Sequence, residues 1–241
     1  MRNPYDAVGL RARVTSADAL RLPDRRHRAE AARAAASAAF EDAWAALRPA
    51  VEREGPIACA AGCAACCHQH VAVAAVEAVA IAGALAAAPE LAARAAAAAG
   101  RIGPLSAADR RRARIPCPFL EDDGRCGIYA IRPIRCRGVH SRDVEPCRQR
   151  TDRPDQAQAD RAARPGPHPA FPLVPIGIAD AALDGLARAQ RAAGIADETL
   201  ELVTALGLLL ADPERMDATM AGTDDLAQAR LDLAARPVAG M

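Results

Sequence analysis

The eight cysteines of this chain fall into two groups, and their placement constrains the fold more than any other feature. Four of them lie in the stretch CAAGCAACCHQH, which runs from Cys59 to His70. The other four lie at positions 117, 126, 136 and 147. Gaps of two or three small residues let successive thiolates point at one centre without crowding it. We expect the fold to bring the two groups together at such a centre.

The apolar part of the sequence predicts helices. Hydrophobic residues make up 51% of the chain, but most of them are alanine, and there are only one Trp, two Tyr and three Phe. Alanine favours helix strongly, and a core of small side chains requires helices that approach closely. The sequence shows no alternation of strands and helices that would build a parallel sheet. We therefore predict a mainly α fold, with an irregular cysteine-rich core and a short hairpin packed between Ala-rich helices.

Charge and hydropathy argue against nucleic-acid and membrane partners. The net charge is +1 and the pI is near 7.6, so the chain has no strong bias toward either sign. The start of the sequence lacks the continuous apolar stretch of a secretory signal. The stretch 71–88 is barely long enough to span a bilayer and carries Glu77, so we predict a buried helix there. We expect a bacterial protein in the reducing cytoplasm, where metal binding or catalysis explains eight cysteines better than disulfides do.

Breakers and helix signals divide the chain into four segments. Pro49 is expected to kink or split the long helix that precedes the first cysteine group. The predicted segments are an N-terminal arm and helix (1–55), a cysteine-cluster metal-binding domain (56–150), a Pro-rich loop (151–175) and C-terminal helices packed on the same unit (176–241).

Shorter signals predict individual caps and turns. The Asp123-Gly124 pair is a strong tight-turn signal, and a hairpin there would hold Cys117 near Cys126. Ser106 is expected to cap a short helix. Asp197 is expected to cap a later helix, and Thr223 a last helix that ends near position 235.

Thiolates in this number favour zinc, Cu(I) or an iron–sulfur cluster over hard cations. Adjacent side chains at Cys66 and Cys67 are expected to diverge, so that they would not both bind one metal ion. Cys147 is explained equally well as a small buried side chain or as a ligand. His68, His70 and His140 are available as further ligands, and at most one of the first two is expected to bind.

At this point four motifs resemble those of a known family. They are CAAGCAACC, CPFL, GRCGIY and IRPIRCR, in that order, over residues 56–140. Together they are similar to the YkgJ-like cysteine-cluster family, which is described as chelating zinc or iron. Three residues separate the first two cysteines here, where the family pattern has two. The resemblance implies metal or iron–sulfur binding by Cys59, Cys63, Cys66, Cys67, Cys117, Cys126 and Cys136.

The number of cysteines bears on how many metal sites are present and on which metal they bind. A zinc ion or a single cluster needs about four thiolates, so seven overfill one site and nearly fill two. The sequence lacks the two paired C-x-x-C units of zinc knuckles, which favours an iron–sulfur cluster or iron, with zinc as the alternative.

Other side chains are expected around the cysteines. Phe119 and Tyr129 would form an apolar shell that keeps water from the thiolates. Arginines near the second group would offset thiolate charge or would lie solvated at the surface. These are Arg125, Arg132, Arg135 and Arg137. Arg110–Arg112 and Arg114 are expected on an exposed helix face.

We expect a metal-binding protein in a structural, sensing or metal-handling role, because no catalytic signature accompanies the cysteines. One alternative is a cluster-dependent enzyme of radical or methyl-transfer type, since Cys59, Cys63 and Cys66 have the spacing of radical S-adenosylmethionine enzymes. The other is a thiol redox switch that oxidises to disulfides and releases metal. A metal ion or cluster is the expected partner, and a protein partner is left open.

Overall fold

The computed structural model describes residues 3–164 and 166–231 and confirms the mainly α fold. The helices in these residues are α1 (Pro4–Ala19), α2 (Arg25–Arg53), α3 (Ala75–Leu85), α4 (Pro89–Ile102), α5 (Ala107–Arg112), α6 (Ile134–Gly138), α7 (Glu145–Asp152), α8 (Pro154–Ala163), α9 (Leu173–Ala192), α10 (Leu202–Ala211) and α11 (Glu214–Met220). Strands β1 (Ala72–Val73) and β2 (Leu200–Glu201) pair antiparallel, with Ala72 opposite Glu201. Short 3₁₀ turns lie at Ala65–His68, Tyr129–Ile131 and Ala227–Ala229.

Small residues let the main helices pack closely. Helix α2 packs against α1, α3 and α9, and α10 packs against α3 and α4. Phe40 and Trp44 share one face of α2 and are buried in the core, as their spacing predicts. Nearly every residue of α3 is buried, which confirms the buried helix predicted for this stretch. In the described part of the chain, no helix combines the length and the apolar character needed to cross a bilayer.

Proline accounts for two differences between the predicted and the observed helices. The segment expected to be an arm forms α1, and α8 occupies residues expected to be a loop. Both helices begin at a proline, where the missing N–H has no helical partner to lose. Pro49 does not split α2, which continues for four more residues to Arg53.

The C-terminal caps also differ from prediction. Helix α10 begins after Glu201, whose carboxylate accepts the Thr204 N–H at 2.8 Å. Asp197 instead pairs with Arg191, so it does not cap that helix. The helix predicted after Thr223 is absent up to residue 231, where the chain forms only the last 3₁₀ turn. The rest of that predicted helix lies outside the described residues.

Candidate metal centre

Helix α3 positions one of the predicted cysteines through a buried carboxylate. Glu77 lies in the first turn of α3 and is 0% exposed. Its Oε2 accepts the Ala74 N–H at 3.2 Å, and its Oε1 accepts the Ile134 N–H at 2.9 Å. Burial raises the pKa of Glu77, and these two hydrogen bonds oppose the shift. The bond to Ile134 fixes the start of α6, the short helix that carries Cys136.

The two cysteine groups meet through their backbones. The Cys117 N–H donates to the Cys67 carbonyl at 2.6 Å. Close by, Gly124 (φ +78°) faces Gly62 (φ +87°), and a Cβ at Gly124 would lie 2.5 Å from the Gly62 carbonyl oxygen. Only glycine tolerates both this conformation and this approach. The structure therefore brings the two groups together.

The predicted hairpin is present as a short turn. The Glu121 N–H donates to the Arg125 carbonyl at 2.9 Å, which closes the Asp-Gly turn. Leu120 and Cys126 then form an isolated antiparallel bridge. The turn holds Cys126 across from the segment that carries Cys117.

The sulfurs of Cys59, Cys117 and Cys126 accept hydrogen bonds from the backbone N–H groups of other residues. The Ser141 N–H donates to Cys59 Sγ at 3.2 Å. Cys117 and Cys126 each accept from the N–H two residues later, and these bonds lower their pKa values against the effect of burial. Such bonds favour the thiolate, which is the form that binds metal.

Burial raises the pKa of most of the cysteines, which is opposite to the effect of these hydrogen bonds. It raises the pKa of Cys117 to about 11 and the pKa of Cys136 well above the ordinary value. It also raises the pKa values of Cys59 and Cys126. Thiols of this kind are protonated at neutral pH without a metal, so metal binding would release protons.

Cys66 and Cys67 interact with each other in the 3₁₀ turn Ala65–His68, so the expectation that they diverge is wrong. A hydrogen bond from Cys67 lowers the pKa of Cys66 to about 7, and the same bond raises the pKa of Cys67. Cys66 is also the exposed member of the eight. The sequence does not indicate the 3₁₀ backbone, and an extended or α-helical backbone would have turned the two side chains apart.

The thiols lie close enough for the charge on one to shift the pKa of another. Burial is the largest cause of the raised pKa of Cys136, and charges on Cys117, Cys66 and Cys126 add to it. All eight thiols are free of disulfide bonds. Among residues 3–164 and 166–231, no three Cys, His, Asp or Glu side chains are already arranged to hold a metal ion. Coordination would therefore draw the thiolates closer together.

Of the four arginines predicted near the second group, Arg132 faces the sulfurs. Its charge lowers the pKa of Cys66, after the effects of the Cys67 thiol, burial and the Cys66 backbone. Its guanidinium also lies over the Tyr129 ring, 4.1 Å from the centroid. The other three form ion pairs with carboxylates: Arg125 with Asp123 at 3.5 Å, Arg135 with Asp180 at 2.5 Å and Arg137 with Glu41 at 2.6 Å.

Arg110 is a second cation beside the thiols, and the expectation that it lies on an exposed face is wrong. It is 0% exposed, and its Nη1 is 3.2 Å from Glu201 Oε1. After burial and the hydrogen bond that Cys117 accepts, the charge on Arg110 is the next influence on the pKa of Cys117, which it lowers. The partner carboxylate lies 91 residues further along the chain, so no local pattern indicates the pair.

Residues 58–162 match the model of the CxxCxxCC family, described as "Putative zinc- or iron-chelating domain". This segment is similar to that family. The match includes all eight cysteines, confirms the resemblance drawn from the four motifs, and supports binding of zinc or iron in general. No curated protein and no solved structure matches the chain.

Of the two aromatic side chains expected around the cysteines, one is buried and the other is exposed. Phe119 is 0% exposed and lies beside Cys117, as expected of an apolar shell. Tyr129 is 61% exposed, so it does not exclude water from the sulfurs. Its ring supports Arg132 instead.

The histidines occupy different surroundings. His140 stacks on Trp44 with ring centroids 4.7 Å apart, and burial lowers its pKa. Burial also lowers the pKa of His68, whose Nδ1 is buried without a hydrogen-bond partner. Ligation by His68, His70 or His140 stays a prediction.

Two residues that shape this site escaped the sequence analysis. Ser141 has no sequence signal, because its contact with Cys59 depends on a distant return of the chain. Glu77 does have a sequence signal, because a single carboxylate inside an apolar stretch implies buried hydrogen-bond partners.

Proposed function

We propose that residues 58–162 form a CxxCxxCC domain that binds iron through its cysteine thiolates, as an iron–sulfur cluster, with zinc as the alternative metal. The ligands are drawn from Cys59, Cys63, Cys66, Cys67, Cys117, Cys126 and Cys136. The role is structural, sensing or metal-handling, without catalysis. The observation that carries the proposal is the backbone contact between Cys67 and Cys117, which joins two cysteine groups that are 50 residues apart in the chain.

The donor set fits a soft metal. Thiolates are the preferred ligands of iron–sulfur clusters and are also common ligands of zinc. Backbone N–H groups at Cys59, Cys117 and Cys126 supply the hydrogen bonds that metal-bound sulfur commonly accepts. Arg132 and Arg110 offset part of the negative charge that several thiolates would bring together. A bound cluster would supply a redox-active or structural centre at this place.

Anaerobic purification followed by elemental analysis, absorbance and electron spin resonance tests the proposal. We expect iron and acid-labile sulfide in the wild type and less of both in Cys63→Ala and in Cys126→Ala, one variant from each group. Complete loss in both variants would indicate one site or one folding unit, and partial loss in each variant would indicate two sites. Zinc in place of iron would select the alternative metal. Less than one equivalent of cysteine-dependent metal after reconstitution would overturn the proposal.

A thiol redox switch is the second candidate, and Cys66 favours it. This thiol is exposed, and its pKa of about 7 makes a large part of it thiolate at neutral pH. Oxidation would then begin at Cys66. Thiol titration before and after mild peroxide, with zinc release followed in the same sample, separates a switch from a stable centre.

The enzyme alternative lacks comparable support. Enzymes with this cysteine spacing surround the cluster with alternating strands and helices, whereas the described residues form mainly helices. Cleavage of S-adenosylmethionine by the reduced, reconstituted protein would restore this alternative.

A further inference from the structure

After α6 the chain returns along the first cysteine group and is attached to it at two points. The Ala58 N–H donates to the Ser141 carbonyl at 2.8 Å, and the Ser141 N–H donates to Cys59 Sγ. Further along, the Thr151 hydroxyl donates to the Ala65 carbonyl at 3.1 Å. These bonds hold the segment 141–152 beside the stretch from Cys59 to Cys66.

Cys147 lies between these two attachments, in helix α7. It is half-buried, and a hydrogen bond connects it to the Ser141 side chain. Cys117, Cys126 and Cys136 pack against the main hydrophobic core, but Cys147 is not among the described residues that do so. Core packing therefore does not explain a cysteine at this position, and its neighbourhood is the first cysteine group.

Electrostatic influence agrees with this neighbourhood at Cys59 and at Cys147. Burial raises the pKa of Cys59, and the thiols that add to this are Cys63, Cys66 and Cys147. Burial also raises the pKa of Cys147, to which charges on Cys66 and Cys63 contribute.

The remaining cysteines influence one another. After burial, charges on Cys117 and Cys66 contribute most to the raised pKa of Cys136. Charge on Cys126 contributes at Cys117, and charge on Cys66 contributes at Cys126, so Cys66 acts on both sets. The pKa of Cys67 is raised first by its hydrogen bond with Cys66 and by burial. Charges on Cys66, Cys117 and Cys136 raise it further. Cys66 and Cys67 thus lie side by side at the boundary between the two sets.

We propose that Cys147 is a metal ligand and that the domain holds two metal centres with four thiolates each. Cys59, Cys63, Cys66 and Cys147 form the first centre, and Cys67, Cys117, Cys126 and Cys136 form the second. Four thiolates complete the coordination of a tetrahedral zinc or iron ion, so the eight cysteines fill two such sites without remainder. This inference rests on the proposed metal binding and adds its stoichiometry and an eighth ligand.

Each centre has a cation of its own. After burial and the Ser141 side chain, the charge on Arg150 is the next influence on the pKa of Cys147, which it lowers. Arg150 is held over the Phe171 ring, 4.4 Å from its centroid. Arg110 has the corresponding place beside Cys117 in the second centre. Arg132 acts on both centres, because its charge lowers the pKa values of Cys66, Cys126 and Cys136.

Zinc titration of the full-length, metal-free, reduced protein tests the inference, with bound metal counted by native mass spectrometry. We expect two equivalents in the wild type, one in Cys147→Ser, one in Cys136→Ser and none in the double variant. Arg148→Ser changes an exposed side chain of the same helix and should keep two equivalents. Far-UV circular dichroism checks that each variant is folded.

Cobalt titration of the wild type gives a measurement that does not depend on any variant folding. We expect both cobalt equivalents to show the visible and sulfur-to-metal bands of tetrahedral tetrathiolate coordination. A single equivalent, or two equivalents retained in a folded Cys147→Ser, would overturn the two-centre arrangement while leaving metal binding intact. A wild type that binds no metal at all would overturn the proposed function as well.

Discussion

At the scale of single residues, Glu77 does more than fill space in α3. Its carboxylate accepts two backbone N–H groups that are otherwise buried, one of them at the start of the helix that carries Cys136. We predict that Glu77→Ala lowers the free energy of unfolding by about 2 kcal/mol or more, since each unsatisfied buried donor costs about 1–3 kcal/mol. Urea unfolding of the metal-free protein measures this.

Glu90 provides the comparison, because it is an exposed glutamate in the first turn of α4. Glu90→Ala removes only a favourable interaction with the helix dipole and should cost less than about 1 kcal/mol. Equal effects of the two substitutions would mean that the Glu77 hydrogen bonds contribute little.

Metal affinity should increase with pH. Burial raises the pKa of Cys117 to about 11 and that of Cys136 well above its ordinary value, so both must lose a proton to bind metal. Zinc competition titrations at pH 6, 7 and 8 should give successively tighter binding. An affinity that does not change with pH would contradict ligation by these buried thiols.

Without metal, the sign of the pH effect on stability is reversed. A folded-state pKa above the unfolded value means that folding favours the protonated thiol. This contribution is fully present below about pH 8.5, the ordinary thiol pKa, and is lost as pH rises toward the folded-state values. Urea unfolding of the metal-free protein from pH 7 to pH 10 should therefore show decreasing stability.

The sequence predicts which cysteines are candidate ligands. It does not predict which charged residues lie beside them. Spacing alone identifies Cys59, Cys63 and Cys66 as members of one group. The pairing of Arg110 with Glu201 depends on chain folding across 91 residues, so helical periodicity assigned Arg110 to the wrong face.

At the scale of elements, the tight turn at Gly124 holds the second cysteine segment against the first. A methyl group at Gly124 would meet the Gly62 carbonyl and would also strain the positive φ. We predict that Gly124→Ala weakens metal binding at least tenfold, because the two segments must separate. Zinc competition at constant pH measures the change.

Gly194 is the matched control for this substitution. Its φ of +76° is almost the same, but nothing lies within 4 Å of a Cβ at this position. Gly194→Ala should cost about 1–2 kcal/mol of backbone strain and leave metal affinity unchanged. Similar losses of affinity in both variants would show that strain, rather than contact between the segments, is responsible.

Elements with local signals were predicted well, and those that depend on context were not. Ser106 caps α5 as expected, because a serine cap bonds within its own turn. The segments that contain α1 and α8 were expected to be irregular, because proline interrupts helices from inside but also begins them. Whether a proline interrupts a helix or begins one depends on the neighbouring structure.

At the scale of the whole molecule, most of the core lies outside the cysteine segments, which add Phe119, Ile128 and Ile134 to it. Contacts among α1, α2, α3, α9 and α10 form the main packing. The buried side chains of this packing are apolar residues such as Phe40, Ile81 and Leu206. Small zinc domains unfold without metal because they have no such core. This chain should behave differently.

We predict that metal removal loosens the cysteine segments and leaves the helical core folded. Far-UV circular dichroism should keep most of its helical signal after chelation under reducing conditions. Hydrogen exchange should accelerate in residues 56–70 and 117–152, where turns, short helices and single bonds hold the backbone, and should change little in α2, α3 and α9. Cys126→Ala, measured without chelator, should reproduce the exchange changes in residues 117–136. Loss of helical signal on chelation would mean that the metal centre holds the whole fold together, contrary to this prediction.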